Sequence, residues 1–448
     1  MPSNVVTSGY GSQAALARYP GSSVGRWYIS CVPFLAIVVT IRGDGLSAGG
    51  FNYTGFMWAG VMALGCLLLF MEIAVRPENP VAFPVIPWLA WLLLALASFA
   101  WMSEAGVHQV RDWLHLATPV MAAVVASYCI RTRAHLAQLI HAFYFAMPLL
   151  WIPIGFWAFF GLQQEIRDDM FIEVRWIGFT AVAIGGLFIS ETKRHPIRGW
   201  VGWVMCLAIT IATAGRMASL VMLLMPMFNP IVRNPIRKIF VCVSMVVVGL
   251  AMLSTPIFQE RFFTGNSGGV NDILEGNFDD AGRFDIWPLI YERALERPWL
   301  GHGVGTAPVL LEELNSRIIL PHNDYLRIGY ELGIVGIVVT LSVIFWQLWS
   351  LGRMVHRTDG VVQQAFAAAW LGLALFLPIA FTGNPLGYTL PYMDPVFVLM
   401  GAAYAVSREE SLQLLSDQSQ AVHVARSDPY SRTPSALWDF RRRNSFKR

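Results

Sequence analysis

Three groups of residues in this sequence could perform chemistry, and each sits where an apolar chain is interrupted. Pro321-His322-Asn323-Asp324-Tyr325-Leu326 closes a polar segment of about residues 258–325 and leads into an apolar run. A histidine at the mouth of a helix can sit half-buried beside a cavity, which suits it to accept a proton from a hydroxyl nucleophile. Asn323 or Asp324 could orient its ring, although a helix cap is the simpler role for Asp324. Taken alone, His322 reads more simply as a capping or surface histidine. In the same segment, Arg283 opens Arg283-Phe284-Asp285-Ile286-Trp287. A guanidinium fork matches phosphate oxygens in bidentate fashion, and the plain alternative is a surface ion pair with Asp279 or Asp280. Trp287 reads first as an interfacial anchor or core residue, and second as a sugar-stacking ring. Arg216, in Thr213-Ala214-Gly215-Arg216-Met217, occupies a very short break between two apolar stretches. A charge at a membrane boundary where orientation rules disfavour it needs a partner or a task. The alternative is an arginine that snorkels to headgroups.

Lesser candidates lie nearby. Glu331, in Gly329-Tyr330-Glu331-Leu332-Gly333, is a carboxylate entering an apolar run, with Arg327 four residues earlier as a natural partner. Arg175 precedes another apolar run, and Asn384, Tyr388, Tyr392 and Asp394 could line a polar vestibule or simply pack. Gly301-His302-Gly303-Val304-Gly305 looks like a phosphate-cradling loop, but no strand precedes it. A flexible turn is the simpler reading, with an anion site on its backbone amides, or a role for His302, as the lesser one. The nine histidines show no i,i+4 pair near a carboxylate on the same face, so metal-ligand spacing is absent and neither metal nor cofactor is expected. Cys31, Cys66, Cys129, Cys206 and Cys242 all fall in apolar runs, which suggests neither a disulfide framework nor a thiolate site.

The elements that must position these groups are read from hydropathy. At 55% hydrophobic and 14% charged, the 448 residues hold too few charges to cover a globule of that size. Apolar runs near the ~20-residue spanning length recur at roughly 26–42, 55–75, 82–102, 112–130, 136–160, 176–192, 199–214, 216–233, 238–257, 326–351, 364–383 and 390–406. The expected fold is therefore an all-α polytopic membrane protein of about twelve transmembrane helices with one large external loop. Arg26, Arg76, Arg131, Arg133, Lys193, Arg194, Arg198, Arg233, Arg237, Lys238, Arg353 and Arg357 fall on alternate connections, on the same side as the Arg441-Arg442-Arg443 tail. The positive-inside rule makes that side cytoplasmic, so both termini are expected inside and the polar segment outside. No cleavable signal is read at the start, and the first apolar run is expected to stay as an anchor.

The resulting plan is a disordered cytoplasmic tail (1–25), nine helices (26–257), an external catalytic loop (258–325), three helices (326–406) and a basic cytoplasmic tail (407–448). Within the loop, 260–280 is rich in Gly, Asn and Asp and expected to be irregular. The spacing of Phe284, Trp287, Leu289, Ile290, Ala294 and Leu295 predicts a short helix over 283–296, stopped by Arg297-Pro298 and lying on the outer surface or capping the bundle. Five arginines against eleven acidic residues in the loop argue against nucleic acid as a partner. A lipid-glycan flippase or transporter would place ionisable groups along a path through the helix middles, which here are almost free of charge. A structural subunit whose loop binds a partner is the remaining class.

In combination these residues resemble the O-antigen ligases and polymerases, with the related exopolysaccharide polymerases. The resemblance rests on Arg216 in its tight break, on Arg283 and Trp287 in the loop helix, and on Gly303 and Gly305 followed by His322 to Leu326, Glu331 and Gly333. It covers about residues 170–345. It implies a GT-C-like, metal-independent glycosyltransferase of the bacterial inner membrane with its active site on the periplasmic face. The implied donor is a polyprenyl-diphosphate-linked oligosaccharide and the acceptor a glycan or lipid-linked glycan, with a chain-length regulator and a flippase as further partners. By that resemblance His322 activates the acceptor hydroxyl while Arg216 and Arg283 neutralise the departing diphosphate; Arg175, Trp287, Asn323, Tyr325 and Glu331 would contact substrate. Gly215 stands where relatives usually have serine, and Arg175-Trp176-Ile177-Gly178-Phe179 lacks the Pro-Asn that commonly follows. The Pro-His-Asn-Asp-Tyr-Leu-Arg run looks closer to exopolysaccharide polymerases than to ligases acting on a lipid A core.

Overall fold

The structure is a computed structural model that describes residues 23–39, parts of 60–74, 81–102, 106–161, 175–213, 215–232, 234–253, 283–314, 321–387 and 389–427. Among these residues it is helical without strands. The helices are α1 (Ser23–Val39), α2 (Ile86–Ala97), α3 (Val107–Cys129), α4 (Arg133–Leu149), α5 (Trp151–Gly161), α6 (Arg175–Glu191), α7 (Pro196–Ala212), α8 (Arg216–Phe228), α9 (Pro235–Leu253), α10 (Arg283–Glu296), α11 (Ala307–Glu313), α12 (Asp324–Arg357), α13 (Gly360–Thr382) and α14 (Asp394–Ser427). Helix thus lies on the apolar runs read from the sequence. Four stretches, Arg133–Phe156, Asp324–Arg357, Gly360–Thr382 and Thr389–Gln420, are long and apolar enough to cross a membrane by length and composition; the others run shorter.

Side-chain contacts sort the helix ends. Gln364 Nε2 donates to the Leu187 carbonyl and Asn229 Nδ2 to that of Ile189, so α13 begins, and α8 finishes, beside the end of α6. Tyr325 Oη donates to the Leu377 carbonyl, which sets the start of α12 against the end of α13. The basic residues gather at the first of these ends. Arg133 pairs with Asp359 at 2.6 Å, Arg198 with Glu191, and Arg26 with His135. The polar α10–α11 segment lies at the opposite end. The basic residues of these three pairs therefore lie at the end opposite α10 and α11.

Two local devices shape the polar end. Gly333 interrupts α12 with φ 66° and ψ −166°. The carbonyls of Tyr330 and Glu331 accept instead from the amides of His302 and Gly303, at 2.9 and 2.7 Å, while Ile334 and Val335 donate to Pro298 and Trp299. Segment 298–303 therefore completes the broken ladder as a wedge. A Cβ on Gly333 would stand 2.4 Å from the Trp299 carbonyl carbon, and one on Gly301 2.5 Å from that of Glu331. Only glycine fits either place.

The second device is a buried ion triad. Arg327 reaches Asp112 at 2.7 Å and Glu331 at 3.1 Å, tying α3 to α12. The i−4 pairing expected for Glu331 is present; Asp112, 215 residues away, joins it. Removing one member of such a cluster leaves buried charge uncompensated. Asp112→Ala is expected to cost about 3 kcal/mol of stability, with Asp112→Asn losing less because its amide oxygen still accepts. Melting temperature in detergent checks this, and an unchanged value for Asp112→Ala would remove the triad's structural role.

Residues from Ser407 form a separate unit. Its described part is helical to Ser427, where a disordered tail is expected from composition, and residues 411–420 are exposed. Glu, Gln, Leu and Ser are tolerant of helix, which accounts for the difference. Residues 1–22, 254–282, 315–320 and 428–448, with the expected irregular stretch 260–280, lie outside the described residues.

Candidate functional site at the polar end of the bundle

The site is built around the last turn of α13 and the chain that follows it. Helix α10 runs from Arg283 to Glu296, the span read from its periodicity, and Pro298 keeps it from continuing. Asp285 in its first turn and Arg293 in its last complement the helix dipole. This helix holds Arg283 so that Nη1 donates to the Thr382 carbonyl at 3.1 Å. One turn on, Trp287 Nε1 donates to the Pro321 carbonyl at 2.8 Å, with its ring edge-on to Phe381. Trp287 thereby fixes the residue before His322.

His322 has φ 52°, the left-handed region that residues other than glycine rarely enter. Its half-buried ring meets Asn384, with Nδ1 3.1 Å from the amide nitrogen. Asn323, not Asp324, caps α12, since its Oδ1 accepts from Leu326 N at 3.0 Å. The fully buried Asp324 instead takes Leu386 N at 2.8 Å, and Gly387 N donates to the Asn384 carbonyl at 2.8 Å. Residues 384–387 are so closed into a turn that presents Asn384 to the imidazole. Thr382 and Asn384, two residues apart and so within roughly 7 Å of chain, anchor the guanidinium and the imidazole respectively.

Arg216 opens α8, half-buried, at the same end. The start of α6 lies beside it: a Cβ on Gly178 would touch Thr213 Oγ1 and Ala218 Cβ. Arg175 begins α6; nothing is described of its side chain. His322, Arg283, Trp287, Asn323 and Tyr325 are thus drawn together by α10, α12 and α13, whereas Arg216 and Arg175 belong to the α6–α8 side of that end. Glu331 engages Arg327 and accepts Ala307 N at 3.4 Å. Tyr392 donates to the Gly372 carbonyl in the core, Asp394 is buried, and Tyr388 lies outside the described residues. The ion pair considered for Arg283 with Asp279 or Asp280 lies outside them too.

The glycine loop is not a flexible turn, and its amides are engaged within the fold. Its amides at His302 and Gly303 serve the α12 break, and Val304 N donates to Ser98 Oγ at 3.0 Å. His302 stacks on Tyr330 with ring centres 4.5 Å apart and bonds the Arg293 carbonyl. Asn384, read along the chain only as a vestibule or packing residue, was not tied to His322, and Asp112 escaped the motif reading because no local pattern marks it. A polar residue in Gly383-Asn384-Pro385, directly after an apolar helix, was the available signal for the first.

An imidazole and a guanidinium on one turn, with a second arginine at the same end, can pair proton removal from a hydroxyl with stabilisation of an anionic leaving group. Residues 175–341 match the family model described as O-antigen ligase. The resemblance drawn from Arg216, Arg283, Trp287 and the Gly303–Glu331 motifs therefore holds across the segment that carries them. A Rickettsia conorii protein carrying a polysaccharide-ligase name is 24% identical over 96 residues, covering 19% of this chain and 23% of that protein.

Proposed function

We propose that this chain is a membrane glycosyltransferase of the bacterial inner membrane that joins polyprenyl-diphosphate-linked oligosaccharide repeats into an exported polysaccharide. The observation that carries the reading is the attachment of His322 and Arg283 to the single 382–384 turn, inside the segment with the family match. The basic end faces the cytoplasm by the positive-inside rule, with both termini, and the polar end with its 258–325 loop faces the periplasm. In the transfer, the acceptor hydroxyl oxygen attacks the anomeric carbon of the donor glycan. The bond from that carbon to the diphosphate oxygen breaks, and its electron pair leaves with the diphosphate. The hydroxyl proton passes to a nitrogen of His322. Arg283 and Arg216 hold the growing charge on the leaving diphosphate, which lets fixed guanidinium groups do this without a metal. Trp287 and Tyr325, beside His322, and Arg175, at the α6 start, contact the glycan or its tether, and Asn323 sets the entry of α12.

A ligase that moves finished polymer onto a lipid A core uses the same chemistry and is the second reading, favoured by the names that the comparisons carry. The two separate in one assay. The purified full chain is given a defined polyprenyl-diphosphate oligosaccharide, with and without a lipid A-core acceptor. Lengthened lipid-linked glycan from donor alone is the expected product. An adduct formed only with the core makes it a ligase, and no transfer in either tube overturns the glycosyltransferase reading.

A further inference from the structure

We infer that Asn384 is the positioning residue of His322, its side-chain carbonyl accepting the imidazole Nδ1–H so that Nε2 carries the lone pair that takes the acceptor's proton. The inference rests on the glycosyltransferase reading and deepens it. Asn384 is wholly buried, and its amide lies 3.1 Å from Nδ1. With the NH2 toward the ring, Nδ1 must be the acceptor and the proton sits on Nε2, a form unable to act as a base there. That orientation also leaves Asn384 Oδ1 buried without a partner among the described residues. Thr382 Oγ1, at the start of this turn, and Asp324 Oδ1, on the α12 carboxylate that takes Leu386 N, are buried without partners among those residues as well, and both can accept. The neighbourhood holds acceptors in want of a donor. A half-turn of the amide, which keeps its shape, exchanges the ends. Oδ1 then meets Nδ1–H, and a donor replaces an orphan acceptor. The rest of the turn is built to hold that amide: Asp324 fixes Leu386 N, Gly387 N closes on the Asn384 carbonyl, and Pro385 restricts the backbone between them.

The tautomer is read directly by nitrogen NMR of wild-type protein labelled with ¹⁵N-imidazole histidine, the His322 signal being the one lost in His322→Gln. The Nδ1–H form is expected, and the Nε2–H form overturns the inference. Turnover of a defined polyprenyl-diphosphate oligosaccharide supplies the second readout. Asn384→Ala is expected to lower kcat about 100-fold with KM for the donor near wild type. Asn384→Asp still accepts from Nδ1–H and is expected to stay within about tenfold of wild type. Its carboxylate favours imidazolium, which must lose a proton before it can serve as base, so the acid limb of the pH–kcat profile moves to higher pH. Equal collapse of both variants, or wild-type kcat in Asn384→Ala, overturns the assignment. Wild-type transfer by His322→Ala would instead bring down the functional reading itself. A dead His322→Ala beside an unaffected Asn384→Ala sinks only the role of Asn384.

Discussion

His322→Ala is expected to insert and accumulate like wild type while glycan transfer falls by roughly 10³-fold, because a positioned base contributes on the order of 10²–10⁴ to such a step. The ring is only half-buried, so its loss should change stability far less than it changes transfer. Donor KM should hold, since the guanidinium groups that bind the diphosphate are untouched. In cells the lipid-linked precursor should build up as long-chain glycan disappears. His302→Ala provides the contrast: its ring is occupied by Tyr330 and the Arg293 carbonyl, so transfer should persist. Undiminished polymer from His322→Ala would refute the assignment of the base.

Lysine at either arginine is the second large effect. Arg283→Lys and Arg216→Lys keep charge but lose the planar fork, and each is expected to reduce kcat/KM for the diphosphate donor about 100-fold. For Arg283 the loss has two sources. One fork nitrogen donates to the Thr382 carbonyl and aims the group that holds the leaving diphosphate in the proposed transfer. A lysine ammonium on a flexible stem does not reproduce both tasks at once. Steady-state kinetics on purified variants decides the matter, and near-normal turnover in both would remove diphosphate recognition from the mechanism.

Helix placement was legible along the chain because its causes are local, and so were the candidate reactive groups that the proposed function uses. Apolar runs of spanning length, the proline that stops α10, and the one-turn spacing of Arg283 and Trp287 act within a few residues of each other. The i,i+4 pairing of Arg327 with Glu331 follows from the same short period. The cap shows where local reading reaches its limit. Sequence reading favoured Asp324 as the cap, yet α12 uses Asn323, because Asp324 is taken by Leu386 N, 62 residues away.

Beyond that range, packing made the choices. Asp112 finds Arg327 across 215 residues, Asn384 finds His322 across 62, and the amides of a glycine string that looked suited to anions fill a break in α12. Chain chemistry alone established which side chains are able to move a proton or hold a phosphate. Their partners were chosen only when burial made every polar atom compete for a neighbour, since an unmet hydrogen bond or charge inside a helical bundle costs more than any local preference can return.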